Sequence, residues 1–89
     1  MKPGDERIVA TIFELLDKRA VDATICPSEA ARALSAGAPA WRAWMPEIRR
    51  VAASLAAADR LRVTARGEEV DALAARGPIR LGRPATRKG

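Results

Sequence analysis

One stretch, from residue 41 to residue 59, constrains the fold more than any other; it reads WRAWMPEIRRVAASLAAAD. Its apolar side chains recur three or four positions apart, the spacing that places them on one face of a helix, and they are Trp41, Met45, Ile48, Ala52 and Leu55. Arg42 and Arg49 fall on the opposite side, and Arg50 lies beside them. Pro46 interrupts the pattern near its start, and a proline costs about 3 kcal/mol in a helix interior. The stretch therefore predicts a central helix that either begins near Met45 after a separate turn or is kinked there, and we expect a kinked or broken first turn.

Weaker patterns on both sides of this stretch predict the other elements. Before it, they predict a helix over residues 5–20 that Asp5 caps, a short edge strand over residues 24–26, and a second helix that Ser28 caps and Gly37 ends. After it, alternation predicts a strand over residues 60–64 and a returning strand over residues 77–82. Between these strands we expect a turn at residues 66–69, followed by either a loop or a helical turn at residues 70–75.

The order of these elements indicates a fold class. Helix, short strand, helix, helix, strand, wing and strand is the order of the winged helix-turn-helix. We therefore predict a mainly α fold with a small β-hairpin, in which three helices carry a two- or three-stranded wing sheet. The domain is expected to span residues 5–82, with a disordered lead-in at residues 1–4 and a flexible basic tail at residues 83–89.

Residue types that the chain lacks exclude several function classes. It has no histidine, no tyrosine and one cysteine, so it offers no zinc site, no Ser-His-Asp triad and no Cys-His pair. It also has no glycine-rich phosphate-binding loop, and we expect no enzyme activity, no cofactor and no metal. No apolar run approaches the ~20 residues that span a membrane, and a lone cysteine suits a reducing compartment. A cytoplasmic location without membrane contact is therefore expected.

Charge is distributed unevenly along the chain. Residues 1–40 carry five basic and six acidic side chains, a net charge of −1, whereas residues 41–89 carry eleven basic and five acidic ones, a net charge of +6. An excess of arginine on one part of a domain is typical of a surface that meets a polyanion. The alternative is that an arginine- and alanine-rich composition reflects a GC-rich genome and has no functional meaning.

The candidate binding residues are six arginines of the predicted central helix and wing: Arg42, Arg49, Arg50, Arg62, Arg66 and Arg80. The central helix follows a helix and a turn, as the recognition helix of helix-turn-helix proteins does. Arginine at such a position could contact phosphates or the edges of guanines. The helix offers no Asn or Gln to read bases, which favours contact with the nucleic-acid backbone. On this hypothesis the partner is DNA, and binding depends strongly on salt.

The alternative hypothesis is a protein-interaction module. Surface arginines are common, and an exposed ion pair such as one with Glu47 contributes only about 0–1 kcal/mol, so the arginines could instead form a structural network. A protein partner would then dock on the wing or on an exposed Trp44. Trp41 and Trp44 are each either base-stacking residues or core residues, and the core interpretation is favoured. Nothing in the pattern predicts an oligomeric state.

Three segments carry a resemblance to a known family: ICPSEAARAL at residues 25–34, WRAWMPEIRRVAASLAAADRLRVTARGEEVD at residues 41–71, and RGPIRL at residues 76–81. Over roughly residues 8–82, the chain resembles the Domain of Unknown Function 3253 family of small bacterial proteins. The matching positions are Ser28, Glu29, Ala31, Arg32, Trp41, Arg42, Met45, Pro46, Arg49, Gly67, Gly77, Pro78, Ile79 and Arg80. The chain departs from the family pattern at Asp59 and Arg60, where glycine is usual, and in residues 71–75.

The resemblance implies a winged-helix-like fold but little about function, because the function of the family is unknown. The family pattern contains Glu29 together with four arginines, which are Arg32, Arg42, Arg49 and Arg80. We expect some of these arginines to form an internal network of ion pairs and hydrogen bonds that holds the wing against the helices. The freer positive charges would then be those of the tail and of Arg50, Arg62 and Arg66.

Overall fold

The computed structural model describes residues 4–36 and 38–84. Within these ranges the elements in chain order are α1 (Asp5–Asp17), β1 (Thr24–Ile25), α2 (Pro27–Leu34), a 3₁₀ helix (Pro39–Trp44), α3 (Met45–Ala57), β2 (Arg62–Ala65), β3 (Glu68–Glu69) and β4 (Arg80–Gly82). The three α-helices and the small antiparallel sheet form a winged-helix-like fold. The predicted fold class is therefore confirmed.

The sheet has four strands in the order β1-β4-β2-β3 among the described residues, one strand more than the sequence predicts. The additional strand is β3, which the sequence analysis assigns to a turn. The turn is confined to Arg66 and Gly67, whose φ angles are 54° and 81°. Two successive positive φ angles are typical of the tight turn that joins twisted strands. Because the turn takes only two residues, Glu68 and Glu69 return along β2 and pair with its last two residues.

The central stretch divides into two helical elements. Residues 39–44 form the 3₁₀ helix, and the regular helix α3 begins at Met45. Pro46 therefore lies in the first turn of α3, where its missing N–H costs no intrahelical hydrogen bond. Of the two predicted alternatives, the separate turn before Met45 is the one observed.

Two of the predicted helix caps are wrong. Gly4, not Asp5, occupies the N-cap position of α1, and Asp5 is the first residue of the helix. In α2 the N-cap is Cys26, because Pro27 already lies in the first turn of the helix. The Glu29 carboxylate accepts a hydrogen bond from the Cys26 backbone N–H at 2.7 Å, as in a capping box. The predicted cap at Gly37 lies outside the described residues.

The core lies between the three helices and the inner face of the sheet. It is built from aliphatic side chains: Ile8, Ile12, Leu16, Ile25, Ala30, Ala31, Leu34, Ile48, Val51, Ala52, Leu55, Leu61, Val63, Ala72, Ile79 and Leu81. Phe13, Trp41 and Trp44 are only half-buried and pack at its rim. Buried alanines allow the helices to approach closely, but each buries little apolar area. The core interpretation of the two tryptophans therefore holds in part, and Trp44 is not an exposed residue.

The predicted termini lie mostly beyond the part of the chain that the structure describes. Residues 1–3 of the predicted lead-in and residues 85–89 of the predicted tail are outside it. Arg83, the first residue of the predicted tail, forms an ion pair with Asp17 at the end of α1. Among the described residues, no helix combines the length and apolar character that crossing a membrane requires.

Gly82 provides a test of the contact between β1 and β4. A Cβ atom at this position would lie 2.9 Å from Thr24 Cγ2, and Thr24 cannot rotate freely because its Oγ1 accepts a hydrogen bond from Arg80 Nε. We expect Gly82→Ala to lower the free energy of unfolding in urea by about 1–3 kcal/mol. Thr24→Ser, which keeps the hydroxyl and removes Cγ2, should restore most of this loss in the double variant.

Gly4→Ala is the control for Gly82→Ala, since nothing lies within 4 Å of a Cβ atom at Gly4. Gly4 is the N-cap residue of α1, but its φ of −74° and ψ of −14° lie in the α region, which alanine adopts without strain. Gly4→Ala should therefore not lower the free energy of unfolding, and should change it by less than about 1 kcal/mol. Equal stability of Gly82→Ala and the wild-type protein would contradict the close approach of β1 and β4.

Candidate functional site

Arg49 fastens the wing to the central helix. Its guanidinium group donates hydrogen bonds to the backbone carbonyl oxygens of Ala72, Ala75 and Gly77, at 3.2, 3.1 and 2.8 Å. These three carbonyls belong to the segment between β3 and β4, which contains a helical turn at residues 71–75 but no strand. The first two of these hydrogen bonds are partly buried, where a carbonyl group without a partner is costly, and one arginine supplies all three. The predicted internal role of Arg49 in holding the wing is therefore observed.

Arg50 joins α3 to the start of α1. Its guanidinium group donates to both carboxylate oxygens of Asp5, at 2.9 and 2.7 Å, and to Glu47 at 2.6 Å. The hydrogen bonds to Asp5, and then those to Glu47, raise the pKa of Arg50 above its ordinary value. Asp5 is the one charged residue buried in the described part of the chain, with 3% of its side chain exposed. The expectation that Arg50 is one of the freer charges is therefore wrong. No local pattern in the sequence marks this pairing, because Asp5 lies 45 residues away.

Arg80 lies on β4, on the outer face of the sheet, and joins this strand to β1. It donates from Nε to Thr24 Oγ1 at 2.9 Å and from Nη2 to the Thr24 carbonyl oxygen at 3.0 Å. Since β4 pairs with both β1 and β2, Arg80 and Arg62 come from adjacent strands and are both exposed. The outer sheet face thus brings together two of the six predicted arginines.

Arg42, Arg62 and Arg66 retain all of their hydrogen-bond donors. Among the described residues none of the three side chains forms a hydrogen bond or an ion pair, and all three residues are exposed. Arg66 lies in the tight turn of the wing, and Arg62 lines two shallow depressions of about 440 and about 360 Å³. Arg42 stacks on the Trp41 ring, with its Cζ atom 4.6 Å from the ring centroid. The six predicted arginines therefore divide into three that donate internally and three whose N–H groups are available.

Three arginines outside the predicted set also have defined positions. Arg32 stacks on the same Trp41 ring, with its Cζ atom 4.7 Å from the centroid. Arg19, not one of the family-pattern arginines, forms the ion pair with Glu29. Arg7 donates to the Leu34 carbonyl oxygen at the end of α2. These contacts join residues of different elements, so spacing along the chain gives no signal for them.

The described residues contain no group of three or more acidic or cysteine side chains that could hold a metal ion.

The role of Arg49 can be tested with a variant that keeps its charge. Lysine cannot reach three carbonyl oxygens with one ammonium group in the way that a planar guanidinium does. We expect Arg49→Lys to lower the free energy of unfolding by about 1–3 kcal/mol and to speed amide hydrogen exchange in residues 70–79. Arg76→Lys is the control, because Arg76 is exposed and has no polar partner among the described residues. Unchanged exchange in Arg49→Lys would show that the wing is held by other contacts.

The ion pair between α1 and α3 predicts a ranking of two carboxylates. Asp5 is buried, whereas the Glu47 side chain is 49% exposed. Asp5→Asn should lower the free energy of unfolding by about 2 kcal/mol, because a buried charged hydrogen bond is lost. Glu47→Gln should change it by less than about 1 kcal/mol. Thermal or urea unfolding measures both, and an equal effect of the two substitutions would contradict the pairing described.

The comparison with known families agrees with the motifs found in the sequence. Residues 5–84 match the family described as Protein of unknown function (DUF3253), so the match covers most of the chain. No curated protein is significantly similar to the chain. Arg49 and Arg80, which belong to the motifs that suggest this family, are two of the arginines that donate internally. The chain is thus a member of the DUF3253 family of proteins of unknown function.

Proposed function

We propose that the protein binds nucleic acid, with double-stranded DNA as its partner, through contacts between exposed arginines and backbone phosphates. The observation that supports this proposal is the free state of Arg42, Arg62 and Arg66, whose donors have no hydrogen-bond acceptor in the described part of the chain. The half of the chain that contains them has a net charge of +6. Free guanidinium groups on a basic surface are suited to phosphate oxygens.

The geometry favours contact with the backbone over the reading of bases. On α3, both terminal nitrogens of Arg49 and of Arg50 donate to groups within the protein and are therefore already engaged. The exposed residues of the same helix include Pro46, Ser54 and Ala57, which offer one hydroxyl group to a base edge. Specific readout in the major groove depends mainly on side chains that make bidentate hydrogen bonds to base edges, such as Arg, Asn or Gln, and the exposed positions of α3 carry none of these. The proposed binding is therefore largely independent of DNA sequence.

In this proposal Arg49, Arg50 and Arg80 are positioning residues. Arg49 fixes the segment that follows the wing turn, and Arg50 fixes α3 against α1. Arg80 fixes β4 to its neighbour β1. These three residues would affect DNA binding indirectly, because they keep β2 and its turn, and so Arg62 and Arg66, in position.

A second candidate function, a protein-interaction module, is favoured by one observation. Leu73 is 65% exposed and lies in the segment that Arg49 holds against α3. An exposed leucine on a fixed backbone is suited to an apolar contact with a partner, and such binding would change little with salt. Trp44, which the sequence analysis considers as a docking residue, is half-buried against the core, so Leu73 replaces it in this candidate.

The proposal predicts a specific salt dependence. Fluorescence anisotropy of a labelled random-sequence duplex, titrated at several salt concentrations, should give a logarithm of the binding constant that falls linearly with the logarithm of the salt concentration. Arg66→Gln should reduce the magnitude of this slope by about 0.9, the value for one phosphate contact. Arg62→Gln and Arg42→Gln should each act in the same direction.

Lys18→Gln is the matched control, because it removes the same charge from an exposed position at the end of α1. Its slope should equal that of the wild-type protein. Equal slopes for Arg66→Gln and Lys18→Gln would mean that net charge alone attracts the duplex. Absence of binding at low salt would overturn the proposal, and Leu73→Ser would then be the variant with which to examine protein binding.

A further inference from the structure

Arg32, Trp41 and Arg42 form a cluster on the surface where α2 meets the 3₁₀ helix. The Cζ atoms of the two arginines lie 4.7 and 4.6 Å from the centroid of one indole ring. Both arginines are exposed, and the ring between the two elements is half-buried. Two guanidinium groups on one ring can be no farther apart than the sum of these two distances. The cluster thus places two like charges against one ring at the surface, both within 4.7 Å of its centroid.

Neither guanidinium group is neutralised by the protein. The guanidinium groups of Arg32 and Arg42 form no hydrogen bond and no ion pair with any described residue. Residues 30–46 contain no acidic side chain. The acidic residues that border this range are engaged elsewhere, since Glu29 pairs with Arg19 and Glu47 pairs with Arg50. An anion that reached the cluster would therefore displace no internal partner.

Stacking on Trp41 prepares the two side chains for an anion. A guanidinium group that stacks on a ring uses its face, which leaves the N–H groups at its edge free to donate. The ring also restricts side chains that would otherwise lose much rotamer freedom on binding. Two held guanidinium groups with free edges match the several acceptor oxygens of a phosphate group.

We propose that Arg32, Trp41 and Arg42 form a binding site for one phosphate group of a nucleic-acid backbone. This inference rests on the proposed function and extends its contact surface to α2, which the sequence analysis does not include. In helix-turn-helix proteins the helix before the recognition helix crosses the nucleic-acid backbone. Arg32 lies on the helix that corresponds to it, and Arg42 lies in the connection to α3. Trp41 is a positioning residue, because it acts through the two arginines.

The test compares two arginines that stack on aromatic rings. Arg32→Gln should reduce the magnitude of the salt slope for duplex binding by about 0.9, and the double variant Arg32→Gln/Arg42→Gln by about twice as much. Arg60→Gln is the matched control, because Arg60 is exposed and stacks on Phe13 with its Cζ atom 5.6 Å from the ring centroid. Arg60→Gln removes the same charge and the same type of contact with a ring, and the salt slope of this variant should remain that of the wild-type protein.

A second measurement follows Trp41 directly in the full-length chain. Trp44→Phe leaves Trp41 as the only tryptophan, so its emission reports on the cluster. Addition of duplex to Trp44→Phe should change this emission. The same addition to the triple variant Arg32→Gln/Arg42→Gln/Trp44→Phe should leave the emission unchanged. Trp41→Leu should weaken duplex binding severalfold while circular dichroism remains that of a folded protein, and Trp41→Phe should recover part of the affinity.

Each outcome separates this inference from the proposed function. Salt-dependent duplex binding with equal slopes for Arg32→Gln and Arg60→Gln would overturn the cluster site and leave the proposed function standing. No duplex binding at low salt would overturn both. If poly-glutamate of matched charge changed the Trp41 emission at lower concentration than the duplex does, the site would bind an acidic protein segment, and the phosphate proposal would be wrong.

Discussion

The hydrogen bonds that Arg49 donates to three backbone carbonyl oxygens determine how the second half of the domain is arranged. After Val70, whose N–H donates to the Val63 carbonyl oxygen of β2, the segment between β3 and β4 has no strand partner, and its carbonyl groups would face either water or the apolar surface of α3. A guanidinium group on α3 satisfies several of them at once and so fixes the distance between the segment and the helix. This allows Ala72 to be buried and leads the chain into β4, the strand that joins β1 to β2. The sheet therefore depends on a side chain of the central helix.

The same residue type has two roles, and the surroundings decide which one each arginine takes. Arginines that face backbone carbonyls or a buried carboxylate donate to them, as Arg49 and Arg50 do. The Arg50 guanidinium faces two carboxylates, those of Asp5 and Glu47, so its positive charge is neutralised within the protein. The proposed phosphate site at Arg32 and Arg42 has no carboxylate partner among the described residues. The net charge of the second half of the chain thus says little about where a polyanion would approach.

Sequence patterns predict the parts of this fold that depend on neighbours along the chain. The spacing of Ile48 and Leu55 and the position of Pro46 predict α3 and the break before it, because both follow from local geometry. The predicted cap at Ser28 is wrong because α2 begins at Pro27, which places the N-cap at Cys26, two residues earlier. The strand β3 is not predicted because Arg66, unlike Asn or Asp, does not mark the positive φ angle that the two-residue turn requires. The pairing of Arg50 with Asp5 could not be predicted, since the two residues are 45 positions apart and are brought close only by folding. Whether an arginine side chain has a hydrogen-bond partner likewise depends on tertiary contacts, so a local sequence pattern does not show it.

The first turn of α1 connects the elements of the helix-turn-helix to one another. Asp5 binds Arg50 of α3, and Arg7, two residues later, donates to the Leu34 carbonyl oxygen at the end of α2. That carbonyl belongs to the last turn of the helix, where no intrahelical donor remains. Because the core contains many small alanines, apolar packing alone fixes the helix positions weakly. The two hydrogen-bonded contacts from the first turn of α1 therefore fix the position of α2 relative to α3. They also fix the distance between Arg32 on α2 and the 3₁₀ helix that carries Trp41 and Arg42.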